Sequence, residues 1–184
     1  MMQHRAVLSA LIVAVALVGC RREQPPATPS PSAAGPTQTP SAVQPSGMDP
    51  ESAARAETER ALAILQEMIH FDFDDFSIRP DAEQVLLRKL PILQANAAVQ
   101  LRIDGHADER GSPEYNQALG QRRANAARDF LVAHGVSSAR LATTSFGEER
   151  PLQMGSNEAA WAVNRRAEFQ VTAGADRVVL PASD

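Results

Sequence analysis

Residues Val99–Leu131, "VQLRIDGHADERGSPEYNQALGQRRANAARDFL", hold the reading that decides the fold. Val99, Leu101 and Ile103 alternate with Gln100, Arg102 and Asp104, the period of two expected of a strand with one apolar face. The alternation stops at Gly105, and a charged loop follows. Ser112 then offers a helix N-cap, with Pro113 at the first helical position, where a missing N–H costs nothing. Leu119, Ala126, Ala127, Phe130 and Leu131 give that helix a buried side until Gly135 ends it.

The same alternation of strand and helix continues outward in both directions. Ile69, Phe71 and Phe73 alternate with His70, Asp72 and Asp74 as an earlier strand. Pro80-Asp81 opens a helix with Asp81 as N-cap and Gln84 three residues on, carrying Val85, Leu86, Leu90 and Leu93; Pro91 is expected to kink or split it. Before both, residues 51–68 read as a lead-in helix with Ala61, Leu62, Leu65 and Met68 near one stripe. Beyond the central stretch come a strand over 141–146, a loop with Pro151 and a short helix capped by Ser156 and reaching Trp161. In the last strand Ala167, Phe169 and Val171 alternate with Arg166, Glu168 and Gln170. Strands and helices alternating at these lengths predict an α/β layer structure. The tail 173–184 carries no assignable pattern.

A chain of 184 residues with formal net charge -4 has room for one ordinary domain plus accessories. The acidic balance argues against a nucleic-acid partner, whose phosphates are met by clustered Lys and Arg.

The N-terminus sets the expected compartment. His4 and Arg5 precede the uncharged run Ala6–Val18, too short for a bilayer span but laid out as an export signal. Leu17-Val18-Gly19-Cys20 resembles a bacterial lipobox, so residues 1–19 are read as a lipoprotein signal peptide and Cys20 as the lipidated residue. Cys20 is the only cysteine, so the domain can form no internal disulfide. Arg21 follows it in place of the aspartate that marks inner-membrane retention in similar lipoproteins, and the outer membrane is the expected destination, with the domain facing the periplasm. Residues 20–50 hold eight of the thirteen prolines and few large apolar side chains, the composition of a disordered linker. Thirty such residues reach about 90 Å as polyproline II and about 30 Å root-mean-square as a flexible coil.

Three kinds of chemistry bear on the charged loop. A metal site is disfavoured, because His106-x-Asp108 matches no paired-ligand motif and the run from Asp72 places Phe76 and Ser77 where a calcium hand needs an oxygen ligand and a glycine. A hydrolase using the Asp/His/Glu cluster is the alternative function, but no serine sits in a nucleophile-elbow motif. A binding site fits better: Asn116, Leu119 and Arg123 share one helix face, and an arginine beside a loop carboxylate suits a zwitterionic amino acid. Gly120, costly inside a helix, marks a close approach by another backbone or a ligand.

"FDFDDFSI" (71–78), "GHADERGSPEYNQALGQRRANAARDFL" (105–131) and "NRRAEF" (164–169) resemble the peptidoglycan-associated lipoprotein family and its relatives, the outer-membrane protein A C-terminal domains, over about residues 69–172. The resemblance implies a βαβαβ-type domain with a mixed sheet of about four strands packed by helices. It implies non-covalent binding of peptidoglycan through the diaminopimelate of the stem peptide, with no catalysis and no cofactor. Carried over by motif, Asp108 would take the ligand ammonium and Arg123 its carboxylate, while Phe73, Asp74 and Leu119 line the pocket. His106 and Glu109 are expected to hold the loop by hydrogen bonds, Arg165 and Arg166 to fix the last strand by salt bridges, and Trp161 to sit in the core. Membership further implies a Tol–Pal-like envelope system involved in cell division, with a periplasmic propeller protein and other Tol components as partners.

Overall fold

The computed structural model describes residues 49–181. The signal peptide read over 1–19, the Cys20 lipidation site, nearly all of the 20–50 linker and the last three residues of the tail lie outside the described residues. Among the described residues no helix is long and apolar enough to cross a membrane.

The elements run α1 (Pro50–Gln66), β1 (Ile69–His70), α2 (Pro80–Ala95), β2 (Gln100–His106), α3 (Pro113–Ala133), β3 (Leu141–Gly147), α4 (Glu158–Asn164) and β4 (Arg166–Ala173). Their order in the open sheet is β1-β4-β2-β3. β2 and β3 are parallel, joined by α3, whereas β4 returns between β1 and β2, antiparallel to both. The α/β class and the four-stranded mixed sheet are those expected.

One face of the sheet carries the core. Leu101 and Ile103 of β2 and Ala167 and Phe169 of β4 are buried together with Ala61 and Leu65 of α1, Leu86, Ile92 and Leu93 of α2, and Ala124, Ala127 and Leu131 of α3. The other face is charged yet shielded: Asp104 is forked by Arg102 at 2.8 and 2.9 Å, and Arg166 donates to Glu168 at 2.7 Å. Asp104 is buried beneath the Arg102 fork although the alternation alone marks it as solvent-facing, whereas Arg102 is half-buried and Gln100 exposed.

Several local expectations shift. The first strand ends at His70, because Asp72–Asp74 turn and Asp74 takes the left-handed conformation (φ 53°). Arg79 rather than Asp81 occupies the N-cap of α2, with Pro80 at the first helical position; Asp81 instead accepts from Arg79 Nε at 3.0 Å. α2 runs on through Pro91 without being split. The N-cap of α4 is Asn157, not Ser156, and its side chain accepts from Ala160 N. Ser112 caps α3 as expected, and Gly135 follows its end at φ 91°, a conformation open chiefly to glycine.

Two contacts secure α1. Lys89, fully buried in α2, donates from Nζ to the carbonyls of Ile64, Leu65 and Glu67 at 2.7, 3.0 and 2.6 Å, closing the C-terminal end of α1. Its ammonium also lies 4.4 Å from the Phe169 ring. The unassigned tail returns across the helices: Val178 is buried, its carbonyl accepts from Thr58 Oγ1, and Asn96 exchanges two hydrogen bonds with Val179.

Candidate functional site

The loop after β2 is shaped by backbone constraints. The register slips between Gly105 and His106, and Ala107 N donates to Gly147 O at 2.8 Å, which swings residues 107–112 over the start of α3. Gly111 sits at φ 114°, where a Cβ would be strained. Asn116, buried in the first turns of α3, brings its Nδ2 within 3.0 Å of Asp108 O and 3.1 Å of Arg110 O, so the loop keeps one shape.

Arg123 ties the opposite wall to this loop. Its side chain is fully buried and donates from Nε to Asp75 O at 2.9 Å, from Nη1 to His106 O at 2.8 Å and from Nη2 to Asp72 O at 3.0 Å. The 72–75 turn and the end of β2 therefore hang on one guanidinium. Burial pushes its pKa down to about 10, with Asp108 pulling the other way, so it stays charged at neutral pH.

The five residues read from sequence as the pocket, Asp108, Arg123, Phe73, Asp74 and Leu119, border a single cavity of about 170 Å³. Arg110, Gly111, Tyr115 and Asn116 complete its wall. Tyr115 donates its hydroxyl to Asp74, which raises the phenol pKa and joins the two sides of the opening. Phe73 stands 58% exposed at the mouth, an apolar ring open to solvent beside the cavity.

Asp108 is the electrostatic centre. Its Oδ1 accepts from Arg110 N and Nε, both at 3.1 Å, and its Oδ2 from Arg110 Nη2 at 2.7 Å and Arg165 Nη1 at 3.3 Å. Burial raises its pKa, but hydrogen bonds and charge from Arg110, aided by Arg165, outweigh that and hold it below the ordinary carboxylate value. The carboxylate is thus ionised, nearly buried and fully engaged.

Sequence reasoning missed several parts of this arrangement. Arg110 received no role, yet its guanidinium lies 3.9 Å from the Phe73 ring centroid and 4.1 Å from that of Trp161. Trp161, expected in the core, is only half-buried and donates from Nε1 to Glu109 at 3.2 Å. Arg166 does pair within β4, but Arg165, at the junction of α4 and β4, reaches to Asp108, to Glu158 at 2.8 Å and to Phe71 O at 3.0 Å. His106, expected to hold the loop through its ring, does so only through its carbonyl: both ring nitrogens are buried without a hydrogen-bond partner while the ring stacks on Phe146. His106 thus shares no hydrogen bond with Asp108 or Glu109, which pair instead with Arg110 and Arg165 and with Trp161.

This sheet order, with a charged cavity where the β2–α3 loop meets the 72–75 turn, defines an OmpA-like α/β domain. The OmpA family model matches residues 70–165. The peptidoglycan-associated lipoprotein of Mesorhizobium japonicum is 38% identical over 162 residues, covering 88% of each chain. That of Brucella melitensis is 50% identical over 99 residues, 54% of this chain and 59% of its own. The crystal structure of the peptidoglycan-associated lipoprotein from Burkholderia pseudomallei superposes with a TM-score of 0.58 at 38% identity, over 61% of this chain and 93% of that one. The cell wall anchor of the T6SS from Pseudomonas aeruginosa gives 0.51 at 25% identity, over 65% and 96%. The chain belongs to the OmpA family and, within it, to the peptidoglycan-associated lipoproteins.

Proposed function

We propose that this protein is an outer-membrane lipoprotein that binds peptidoglycan non-covalently through the diaminopimelate of the stem peptide and so tethers the membrane to the wall. The observation that carries the reading is the convergence of Asp108, Arg123, Phe73, Asp74 and Leu119 on one cavity. An ionised carboxylate and a guanidinium bordering one small space answer the ammonium and carboxylate of a zwitterionic amino acid. The names of the relatives at 38% and 50% identity support the wall as the source of that ligand. The peptidoglycan-binding region is read over residues 69–172, with the lead-in helix and the tail residue Val178 packed on its core and a lipidated Cys20 and a linker ahead of them.

Each charge-assisted hydrogen bond contributes about 1.5–3 kcal/mol, from which the cost of ordering the peptide is subtracted, so a single site binds modestly. Many anchored copies facing a polymer gain through effective concentration. The same reading places the protein in a Tol–Pal system serving envelope integrity and cell division, with a periplasmic propeller protein among its partners; co-purification of Tol components with the intact lipoprotein checks that extension.

The direct test is an NMR titration with a diaminopimelate-containing stem peptide and with its lysine counterpart, read at the Gly111 and Tyr115 amides. Larger and saturable shifts with the first peptide, lost in Asp108→Ala, are expected. Equal shifts for both peptides would remove the zwitterion argument.

A further inference from the structure

Asp108 has no free acceptor for a ligand. A carboxylate offers about four lone-pair sites, and here four donors meet them: the Arg110 amide, two positions of the Arg110 guanidinium, and Arg165. Three of the four come from the main chain near the loop or from Arg110's own side chain, and only the side chain can leave without unfolding the loop. Arg165 is fixed at three points, to Asp108, Glu158 and Phe71 O, whereas Arg110 keeps 29% of its side chain exposed.

We propose that Arg110 is the gate of this pocket: its guanidinium occupies the ammonium position on Asp108 in the free protein and leaves that carboxylate when a ligand ammonium enters. The inference rests on the binding reading above and adds to it the residue that sets the cost of entry to Asp108. The chemistry matches, since a guanidinium forking a carboxylate and an ammonium approaching it compete for the same oxygens.

The aromatic rings already cover the gate in its closed position. Phe73 and Trp161 each lie within about 4 Å of the guanidinium while it forks Asp108. A guanidinium that slides along these faces as it leaves the carboxylate keeps part of that contact and loses less than one released into water. Glu158 Oε2, 3.6 Å from Arg110 Nη1, offers a second anionic contact on the outer side. Arg110 can therefore turn about its stem toward Glu158 while the loop, held by Asn116, keeps its shape.

A gate lowers apparent affinity by the fraction of time it stands open, and by the same factor for every ligand that must displace Arg110. A simple alkylamine gains one contact by displacing Arg110. A zwitterionic side-chain terminus gains a carboxylate contact in addition, so it still binds measurably after that common reduction while the alkylamine does not.

The experiment uses the full chain and a diaminopimelate-containing tripeptide, with n-butylamine as the single-charge probe. In the free protein the Arg110 Nε–H resonance is expected downfield and slow to exchange; on titration with the tripeptide it shifts upfield and exchanges at least tenfold faster. In Arg110→Gln, checked for folding by amide dispersion, the association rate of the tripeptide is expected to rise severalfold and n-butylamine binding to become measurable. An unchanged Arg110 Nε–H resonance while the Gly111 and Tyr115 amides shift overturns the gate and leaves the binding reading intact. So does an unchanged association rate in Arg110→Gln. Absence of shifts at Gly111, Tyr115 and Arg110 alike overturns the binding reading itself.

Discussion

The backbone of Gly105 in β2 lies directly against the backbone of Gly120 in α3: a Cβ on Gly105 would collide with the Gly120 carbonyl, and one on Gly120 would stand 2.8 Å from the Gly105 oxygen. The contact fixes how deeply α3 sits on the sheet, and hence how far Leu119 and Arg123 stand from the loop that carries Asp108. Ser145 Oγ locks the same crossing by donating to Gln117 O at 2.7 Å.

Gly120→Ala is expected to destabilise the domain although alanine is the better helix former by about 1 kcal/mol. The added methyl meets first Ser145 Oγ, itself held on Gln117 O, and then the Gly105 backbone, an overpacking cost of about 1–3 kcal/mol. Urea unfolding measures the loss, and stem-peptide affinity should fall with it because the pocket walls are pushed apart. A variant as stable as the parent would show that the crossing is softer than its geometry.

Arg123→Leu removes the donor shared by three carbonyls, of which that of His106 is buried and those of Asp72 and Asp75 are partly so; leaving the buried one unsatisfied costs about 1–3 kcal/mol, and the two others add to it. Arg123→Lys should recover only part of it, since an ammonium cannot present a planar fork to three separated acceptors. Thermal denaturation of the two variants ranks them.

His106 predicts an acid-sensitive step. Burial first, then Arg166, lowers its folded pKa to about 4 against 6.5 when unfolded. The unfolded chain therefore binds more protons between those values, and stability falls as pH drops from 6.5 toward 4, by up to about 3 kcal/mol. His106→Phe keeps a ring beside Phe146 and should flatten that slope. Asp108 acts in a lower window, its contribution lost only as pH falls below the ordinary carboxylate range.

Lys89→Met keeps much of the side-chain volume but leaves the carbonyls of Ile64, Leu65 and Glu67 without their shared donor. Amide exchange in the last turn of α1 is expected to quicken at least tenfold while β2 stays protected. Uniform acceleration through the sheet would mean that α1 is not a separable unit.

The sequence carried the elements whose period is unbroken, namely β2, α3 and β4. It overextended β1, because Phe71 and Phe73 look like one face of a strand when Phe71 is in fact buried and Phe73 opens onto the cavity across a left-handed Asp74. Gly120 was legible as a close approach, and the partner turned out to be Gly105. Asp108 and Arg123 were legible by motif, but the partners that set Asp108's state were not. Arg165 comes from 57 residues away, and Trp161 stands against Arg110 only once α4 has folded. Charges in a loop announce themselves in sequence; which of them face one another is decided by the fold.

The grip on α1 has a mechanical side. Ala61 and Leu65, the Thr58–Val178 bond and the Lys89 contacts all fall from residue 58 onward, whereas most of residues 50–57 stand exposed. Tension applied at the N-terminal side of the domain would therefore draw out the first two turns before it reached the core. Each residue passing from helix to extended chain lengthens by about 2 Å, so this segment yields about 15 Å of slack. The fold thus carries a short compliant spring ahead of a rigid mount.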